Sequence, residues 1–290
     1  MAIQPSGGND MEKFEKANKD IHRREIQFNT SHEVAMSNQM ILHSASNLSL
    51  NEMKLLRYII MQTKKGDEYL FEYEFAVKDF AEDLGVSVKD LYRDLDKMSL
   101  HIMREVLTFG VNTGSYKKDR WKHFHWVDIF EYYDGKVKVK ISDELRPFLL
   151  NLVGNFTKYE MSEIVNMRST HAIRIYEVIR SYMNDYDLPY ADHQNEISIS
   201  MEVLRRITNT EEKFERYSSF KTYVIDTAVR EINRCSKYHI TATPYKSGRA
   251  VTGFDFLIES QAGYYHRTDT QQGEAIKTEA NQQLSISDFI

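Results

Sequence analysis

Residues 77–102 read VKDFAEDLGVSVKDLYRDLDKMSLHI, and their pattern is the most informative local feature of the chain. Apolar residues recur at every third or fourth position on both sides of Gly85, which predicts two amphipathic helices separated by a glycine turn. Ser87 stands where it can cap the second helix. The two apolar faces consist of Val77, Phe80, Ala81 and Leu84, and of Leu91, Leu95, Met98 and Ile102. A short helix, a tight turn and a longer helix make a helix-turn-helix.

A β-hairpin is predicted after the helix-turn-helix. Residues 121–133 and 136–141 are rich in aromatic and β-branched side chains, and Asp134-Gly135 between them is a typical two-residue hairpin turn. Upstream, residues 38–45 predict a short helix, and Ser49 with Glu52 is a capping-box signature for a second one. Residues 69–75 alternate aromatic and acidic side chains, which predicts a strand. Helices followed by a hairpin are typical of a winged helix.

The same order of elements recurs in the second half of the chain. A predicted helix at residues 170–183 is followed by a strand at 196–200, a short helix at 201–208, a longer helix at 218–235 and a hairpin at 238–258. A repeat offset by about 125 residues decides the architecture better than any single element. The sequence therefore predicts an α+β fold, mainly helical, with tandem winged-helix domains.

Four segments are expected from this pattern. Residues 1–33 form a flexible, charged N-terminal arm, and residues 34–152 form the first winged-helix domain. Residues 153–260 form the second domain, and residues 261–290 form a polar, disordered C-terminal tail.

The composition excludes several classes of protein. With 41% hydrophobic and 28% charged residues, the chain is expected to be globular rather than disordered. No apolar run approaches the roughly 18 residues that span a bilayer, and residues 1–10 lack the pattern of a secretory signal. Cys235 is the only cysteine, which excludes an internal disulfide and a multi-thiolate zinc site. A cytoplasmic location, with no membrane partner, is expected.

Charge is distributed unevenly along the chain. The formal net charge of −5 argues, as a sum, against a nucleic-acid partner. Between residues 204 and 250, however, ten basic residues oppose only five acidic ones, and a smaller basic group lies at residues 117–122. Phosphate binding requires such a local excess, although a solvated charged face is the ordinary alternative for one basic run.

Two blocks of the sequence resemble the replication initiator (Rep) proteins of iteron-type, theta-replicating bacterial plasmids. The N-terminal block is SNQMI at residues 37–41 with LSLNEMKLL at residues 48–56. The C-terminal block is RYSSFK at residues 216–221, continued by Val224-Ile225-Asp226, Ala228 and Glu231-Ile232-Asn233. The resemblance spans residues 34–259, and the C-terminal block is the more specific because spacing, helix phase and basic positions all agree.

The resemblance implies a DNA-binding plasmid replication initiator in which both domains grip one origin repeat, or iteron, of double-stranded DNA. It also implies a homodimer that represses its own gene, in equilibrium with a monomer that acts at the origin. Host replication proteins, such as the host initiator and helicase, are the implied protein partners.

The second domain is expected to supply most of the DNA recognition. In a winged helix the second helix of the helix-turn-helix lies in the major groove, with its N-terminal residues nearest the base edges. Hydroxyl groups and Lys221 stand there, Asp226 offers an acceptor for a cytosine amino group, and the wing tip is basic. The alternative is that these charges simply face solvent. The candidate contacts are Arg216, Ser218, Ser219, Lys221, Thr222, Asp226, Arg230, Lys246 and Arg249.

The first domain offers a second set of candidate contacts. Its predicted recognition helix mixes basic residues with Asp90, Asp94 and Asp96, so surface ion pairs and DNA contacts are equally good interpretations. The basic group before the hairpin is expected to bind phosphates. The candidates are Lys89, Tyr92, Arg93, Lys97, Lys117, Lys118, Arg120 and Lys122.

Two other functions remain open at this point. His123-Phe124-His125 puts two imidazoles on one face of a strand, as in initiators that nick DNA with a divalent metal, but no third ligand is evident nearby. A transcriptional repressor with the same fold is the second, because fold alone does not separate it from an initiator. With no phosphate-binding P-loop and no catalytic constellation, the chain is expected not to be an enzyme and to need no cofactor or metal.

Two further expectations concern assembly. The aromatic-rich residues 121–133, including Trp126, are a candidate dimer interface, with internal packing as the alternative. The chain ends QQLSISDFI at residues 282–290, and residues 283–286 resemble the start of the motif that binds the bacterial sliding clamp. The expected aromatic is displaced to Phe289, and the alternative is that this segment folds back onto the second domain.

Overall fold

Helices and strands alternate along most of the chain. The computed structural model describes residues 23–25, 33–111, 120–183 and 195–260. The elements up to residue 149 are β1 (Arg23–Glu25), β2 (Glu33–Ser37), α1 (Asn38–His43), β3 (Ser44–Ala45), α2 (Leu50–Ile60), β4 (Glu72–Ala76), α3 (Val77–Asp83), α4 (Val88–Arg104), β5 (Val106–Val111), β6 (Arg120–His125), β7 (Val127–Tyr133), β8 (Lys136–Ile141) and, after the 3-10 turn Asp143–Leu145, α5 (Arg146–Leu149).

The second part of the chain repeats this alternation. Its elements are β9 (Phe156–Glu160), α6 (Ser162–Val165), α7 (Thr170–Tyr182), β10 (Asn195–Ser200), α8 (Met201–Ile207), α9 (Tyr217–Phe220), the π turn Lys221–Ile225, α10 (Asp226–Cys235), β11 (Tyr238–Ser247) and β12 (Ala250–Ser260). No helix within these ranges is long and apolar enough to cross a membrane.

Local capping explains where the first helices begin. The Ser49 side chain accepts from the backbone N–H of Glu52, and the Glu52 carboxylate accepts from the backbone N–H of Ser49 at 2.7 Å, so the predicted capping box starts α2. Ser87 caps α4 by accepting from the backbone N–H of Asp90. Between α3 and α4, Gly85 has a φ of +60°, which a residue with a side chain rarely adopts. The helix-turn-helix predicted from residues 77–102 is confirmed.

The first winged helix is built on a sheet of order β1-β4-β8-β7. Strands β7 and β8 form the predicted hairpin, and both Asp134 (φ +47°) and Gly135 (φ +78°) have the positive φ that a type I′ turn requires. Strand β1 pairs in parallel with β4, so three residues of the segment expected to be a flexible arm form a strand.

The prediction of one strand over residues 121–133 is wrong. Strand β6 pairs with β5, whereas β7 pairs with β8 in a different sheet, and the chain changes sheets at Trp126. The indole of Trp126 is only 2% exposed. Strand β5 was not predicted. Aromatic and β-branched residues continue through both β6 and β7 with no glycine or proline between them, so residue type alone does not reveal that the chain turns there.

The second winged helix has the same plan. Its sheet has the order β10-β12-β11, which corresponds to β4-β8-β7 in the first, and α8, α9 and α10 stand between the first strand and the hairpin in chain order. The predicted repeat, the α+β class and the tandem winged helices are confirmed. The pair β5–β6 is an insertion that the second winged helix does not carry at the matching place among the described residues.

Helix α7 lies between the two winged helices. It contacts α10 on one side and α1 and β9 on another. Strand β9 in turn pairs antiparallel with β2, from Glu33 opposite Glu160 to Ser37 opposite Phe156. These contacts cross residue 152, where the division into two domains is expected, and that division stays a prediction.

A buried polar cluster reinforces the same contacts. The carboxylate of Glu177 in α7 accepts from Arg57 Nε at 2.8 Å, from Arg174 Nη1 at 2.8 Å and from the Tyr159 hydroxyl at 2.7 Å. Arg174 also donates to the backbone carbonyl of Ile41 at 2.8 Å. Because all four side chains are buried, each charge depends on its partners for solvation.

Candidate nucleic-acid interface

The segment from α9 to α10 has one buried and one exposed face. The buried face packs into the second winged helix and consists of Phe220, Val224, Ala228 and Ile232. The opposite face carries polar side chains, with Ser218, Thr222 and Arg230 exposed and Ser219 half-buried. This segment occupies the place of the recognition helix in a helix-turn-helix, the helix whose exposed face in that motif meets the major groove of DNA.

A π turn interrupts this recognition helix. The backbone N–H of Asp226 donates to the carbonyl of Lys221, five residues earlier. The same turn brings the two side chains together, and Lys221 Nζ lies 2.7 Å and 2.9 Å from the two carboxylate oxygens of Asp226. The two predicted contacts therefore form one ion pair on the exposed face.

Arg205 in α8 holds the turn that leads into the recognition helix. Its guanidinium donates to the carbonyls of Thr210 (3.0 Å), Lys213 (2.9 Å) and Phe214 (2.9 Å) and lies over the ring of Phe220, 4.6 Å from the centroid. Phe214 has a φ of +52°, an unfavourable value for a bulky residue. Arg205 thus stabilises a strained loop. The sequence alone identifies it only as one of the ten basic residues between 204 and 250.

Other cations of the basic stretch also have structural partners. Arg206 lies 3.9 Å from Glu202, and Arg234 donates to the backbone carbonyl of Asn166 at 3.0 Å. The cations left exposed in the described part of this stretch without an ion pair are Lys213, Arg216, Arg230, Lys246 and Arg249. Four of these five are predicted DNA contacts.

Two of these cations stand on the wing of the second domain. Strands β11 and β12 are joined by a two-residue turn in which Gly248 has a φ of +62°, the sign that the first residue of a type II′ hairpin turn needs. Lys246 lies two residues before Gly248 and Arg249 directly after it, and both are exposed. The wing tip is therefore a tight turn that carries two positive charges.

The recognition helix of the first winged helix, α4, has a different charge pattern. Arg93 is paired with Asp90 at 2.6 Å and with Asp94 at 2.8 Å, and its hydrogen bond lowers the pKa of the Asp94 carboxyl. Tyr92 makes an edge-on contact with Tyr132 of the wing, with ring centroids 6.3 Å apart. In the free protein, Arg93 thus forms surface ion pairs, the first of the two interpretations.

The remaining first-domain candidates are scattered. Lys89 and Lys97 are exposed on α4. Lys122 pairs with Glu144 at 3.0 Å and lies over the ring of Phe124. Arg120 begins β6, while Lys117 and Lys118 lie outside the described residues, as do residues 261–290 with the clamp-like segment. Among the described candidate contacts, the first domain therefore presents two exposed cations without an ion pair, Lys89 and Lys97, and the second presents four.

The histidine pair does not form a metal centre in the described part of the chain. His123 and His125 are both exposed on β6, and His123 Nδ1 lies 3.0 Å from the Thr108 hydroxyl. Within the described ranges, no group of three or more His, Cys, Asp or Glu side chains is placed to hold a metal ion.

Two family models match the chain. Residues 33–180 match the model described as "Initiator Replication protein, WH1", and residues 200–258 match "Initiator Rep protein, WH2". The first match alone spans more than half of the chain. This chain belongs to the initiator replication protein family. Both of its winged helices are thereby matched to the corresponding domains of that family, and the first match extends past residue 152 to include β9 and most of α7.

One solved structure shares the fold of this chain over most of its length. The Pi initiator protein, in a crystal structure of its complex with iteron DNA, is 15% identical; the alignment covers 81% of this chain and all of that one, with a TM-score of 0.63. Domains 2 and 3 of RctB are 10% identical over 74% of this chain and 84% of that one, with a TM-score of 0.43, too low to support an argument. The likeness to Pi supports the tandem arrangement of winged helices.

Proposed function

We propose that this initiator starts replication of a bacterial plasmid by binding repeated double-stranded DNA sequences, the iterons, at the plasmid origin. The observation that carries the proposal is the coincidence of unpaired cations and hydroxyl groups on one recognition helix and its wing, in a chain that is acidic as a whole. The family membership and the fold shared with Pi support the same function.

The second domain is proposed to read the sequence. The start of its recognition helix, with Ser218, Ser219 and Thr222, lies against base edges in the major groove. Arg216 at the N-terminal end of the helix and Arg230 further along bind the phosphate backbone on either side. Lys246 and Arg249 bind phosphates at the wing tip.

The first domain is proposed to add affinity rather than most of the specificity. Lys89 and Lys97 on α4, with the basic residues 117–122, would contact phosphates of the same repeat. Arg93 can contribute only after it exchanges Asp90 and Asp94 for a phosphate. That exchange reduces the net gain in binding free energy, because the ion pairs of Arg93 with Asp90 and Asp94 are lost.

DNA binding by the full chain tests the proposal. Footprinting on the DNA upstream of its own gene should reveal protected repeats, and fluorescence anisotropy with one repeat then measures affinity. Arg216→Ala should weaken binding on every sequence and lower the slope of log affinity against log salt by about one, as loss of one phosphate contact does. Lys65→Ala removes an exposed cation from the loop after α2 and is the matched control. Equal affinity for repeat and scrambled DNA would refute the proposal.

We further propose that a homodimer represses the initiator's own gene, while the monomer acts at the origin. Trp126 cannot be part of its interface without unfolding, because its indole is buried in the monomer. Analytical ultracentrifugation at micromolar concentration should detect dimers. Loss of the gene separates the two roles: a plasmid without its initiator stops replicating, whereas loss of a simple repressor only raises expression.

Host replication proteins are the proposed partners at the origin. The segment 283–286 is proposed to bind the sliding clamp from a tether, which raises its local concentration there. A labelled peptide of residues 279–290, titrated with host clamp, measures this directly. Full plasmid maintenance by a chain truncated after residue 279 would exclude the role.

A further inference from the structure

The ion pair between Lys221 and Asp226 depends on the π turn. Residues five apart in a regular α-helix point in directions that differ by about 140° around the axis, so they do not meet. In the π turn the backbone N–H of Asp226 donates to the carbonyl of Lys221, five residues earlier. The Thr227 hydroxyl likewise donates to the carbonyl of Thr222, also five residues earlier, at 3.2 Å. The irregular turn therefore has a definite result, which is to place one donor and one acceptor side by side.

The pair has little value for stability. The side chains of Lys221 and Asp226 are 38% and 46% exposed, and exposed ion pairs contribute little to folding. A π turn within a helix is rare and is frequently found at functional sites. This turn lies one residue after Phe220, at the part of the recognition helix that in a winged helix is nearest the base edges.

We infer that Lys221 and Asp226 act as one unit that reads a single G·C base pair. The inference rests on the proposed function, since it requires that this helix enters the major groove. There, guanine presents two adjacent acceptors, O6 and N7, and its cytosine presents one donor, the N4 amino group. Such a contact requires that one of the three Lys221 protons is shared between the two carboxylate oxygens of Asp226, which leaves two protons for the guanine. The free lone pairs of Asp226 accept from the cytosine.

The coupling explains why an acidic residue is tolerated on a DNA-binding face. Alone, Asp226 would repel the phosphates, and Lys221 would bind any phosphate without regard to sequence. Paired, they form a nearly neutral unit that loses little binding energy by leaving the backbone. The unit gains most where two adjacent acceptors lie beside a donor. An A·T pair has no two adjacent acceptors in its major groove, so the unit discriminates against it.

A double-mutant cycle on the full chain tests the inference. The variants are Lys221→Met, Asp226→Asn and the double change, with Lys65→Met as the control for loss of a remote cation. Each is titrated by fluorescence anisotropy against the footprinted repeat and against duplexes in which each base pair is replaced in turn. Thermal melting of every variant reports whether the fold is intact, and little change is expected because both side chains are partly exposed.

The expected result is specific. Wild type should lose about tenfold or more in affinity when one particular G·C pair is replaced. Lys221→Met and Asp226→Asn should each lose preference at that same pair, and the double variant should bind about as well as the weaker single one.

Three results would overturn the inference. Equally weaker binding of Lys221→Met to all sequences, with a salt slope reduced by about one, would identify a phosphate contact. Changes of preference at different base pairs in the two variants, or at an A·T pair, would show that the residues do not read one G·C pair together. Unchanged preferences in Asp226→Asn would show that Asp226 reads no base. If wild type itself binds repeat and scrambled DNA equally, the proposed function fails first and the inference falls with it.

Discussion

Arg57 and Glu177 form a buried ion pair, with Arg57 Nε 2.8 Å from one carboxylate oxygen and Nη2 3.0 Å from the other. The pair joins α2 to α7, the helix that also packs on the recognition helix of the second domain. Neither side chain has appreciable contact with solvent. Burial of two charges costs much of what their attraction returns, so the pair matters chiefly when one partner is removed.

Glu177→Gln should destabilise the protein strongly. The change leaves Arg57 and Arg174 buried without their shared counter-charge, and removal of one partner of a buried pair costs about 3–5 kcal/mol. Glu82→Gln is the control, because Glu82 pairs with Lys78 at 3.7 Å in full contact with water, and it should change stability by less than about 0.5 kcal/mol. Urea unfolding followed by circular dichroism measures both. Equal effects of the two changes would contradict this account.

The same carboxylate should make stability depend on acid pH. Burial opposes its charge, but Arg57 and Arg174 outweigh burial and lower the pKa of Glu177 to about 2, below its ordinary value of 4.5. The unfolded chain then binds the proton more readily than the folded one, so this stabilisation is complete above pH 4.5 and is lost as the pH falls towards 2. The difference in unfolding free energy between wild type and Glu177→Gln should therefore narrow over that window. A difference that stays constant would exclude the linkage.

Trp126→Lys should unfold the first domain rather than release a monomer. The side chain is enclosed in the core, with the Arg57 guanidinium 5.7 Å from the ring centroid, and loss of a buried tryptophan costs about 3–5 kcal/mol. Tyr132→Lys is the matched control, because Tyr132 is 53% exposed and loses at most an aromatic contact worth about 0.5–1.5 kcal/mol. Calorimetry gives the stabilities and sedimentation gives the mass. A Trp126→Lys variant that is folded and monomeric would instead indicate that Trp126 belongs to a dimer interface.

Arg205→Lys should impair the second domain although it conserves charge. Lysine cannot reproduce the fork that donates to Thr210, Lys213 and Phe214, so stability should fall by about 1–3 kcal/mol and repeat-DNA affinity should fall with it. Arg206→Lys, at the neighbouring position, alters only a long and partly exposed contact with Glu202, and it should be nearly silent. Melting temperatures and anisotropy titrations compare the two. Indistinguishable behaviour would mean that Arg205 does not hold the loop.

Features that depend on neighbouring residues are well predicted from the sequence. The capping box of Ser49 and Glu52 and the Asp134-Gly135 turn are local chemistry, and both form as expected. The repeat of the two winged helices is also predicted from the sequence, because apolar residues recur at helical spacing in both halves. The end of β6 at Trp126 is not predicted, since it depends on which sheet each strand joins.

The candidate site is predicted less completely than the fold. The sequence identifies the exposed cations of the recognition helix and wing, but it does not separate them from Arg205, whose partners are backbone carbonyls of a loop. It also does not pair Lys221 with Asp226. A period of 3.6 residues places them on different faces, and only the π turn brings them together.

The ladder between β2 and β9 has a consequence for any attempt to express the winged helices as separate fragments. A fragment that stops at residue 152 would retain Glu33–Ser37 without Phe156–Glu160, and it would leave Arg57 facing the space that Glu177 fills. Its backbone edge and its guanidinium would both be stripped of partners, which favours aggregation. A fragment that runs to residue 183 keeps both β9, the partner of β2, and Glu177, the partner of Arg57. A cut after α7 would therefore preserve the first winged helix, but it would take from the second the helix that packs on α10. Neither winged helix can be separated from the other without the loss of a packing partner.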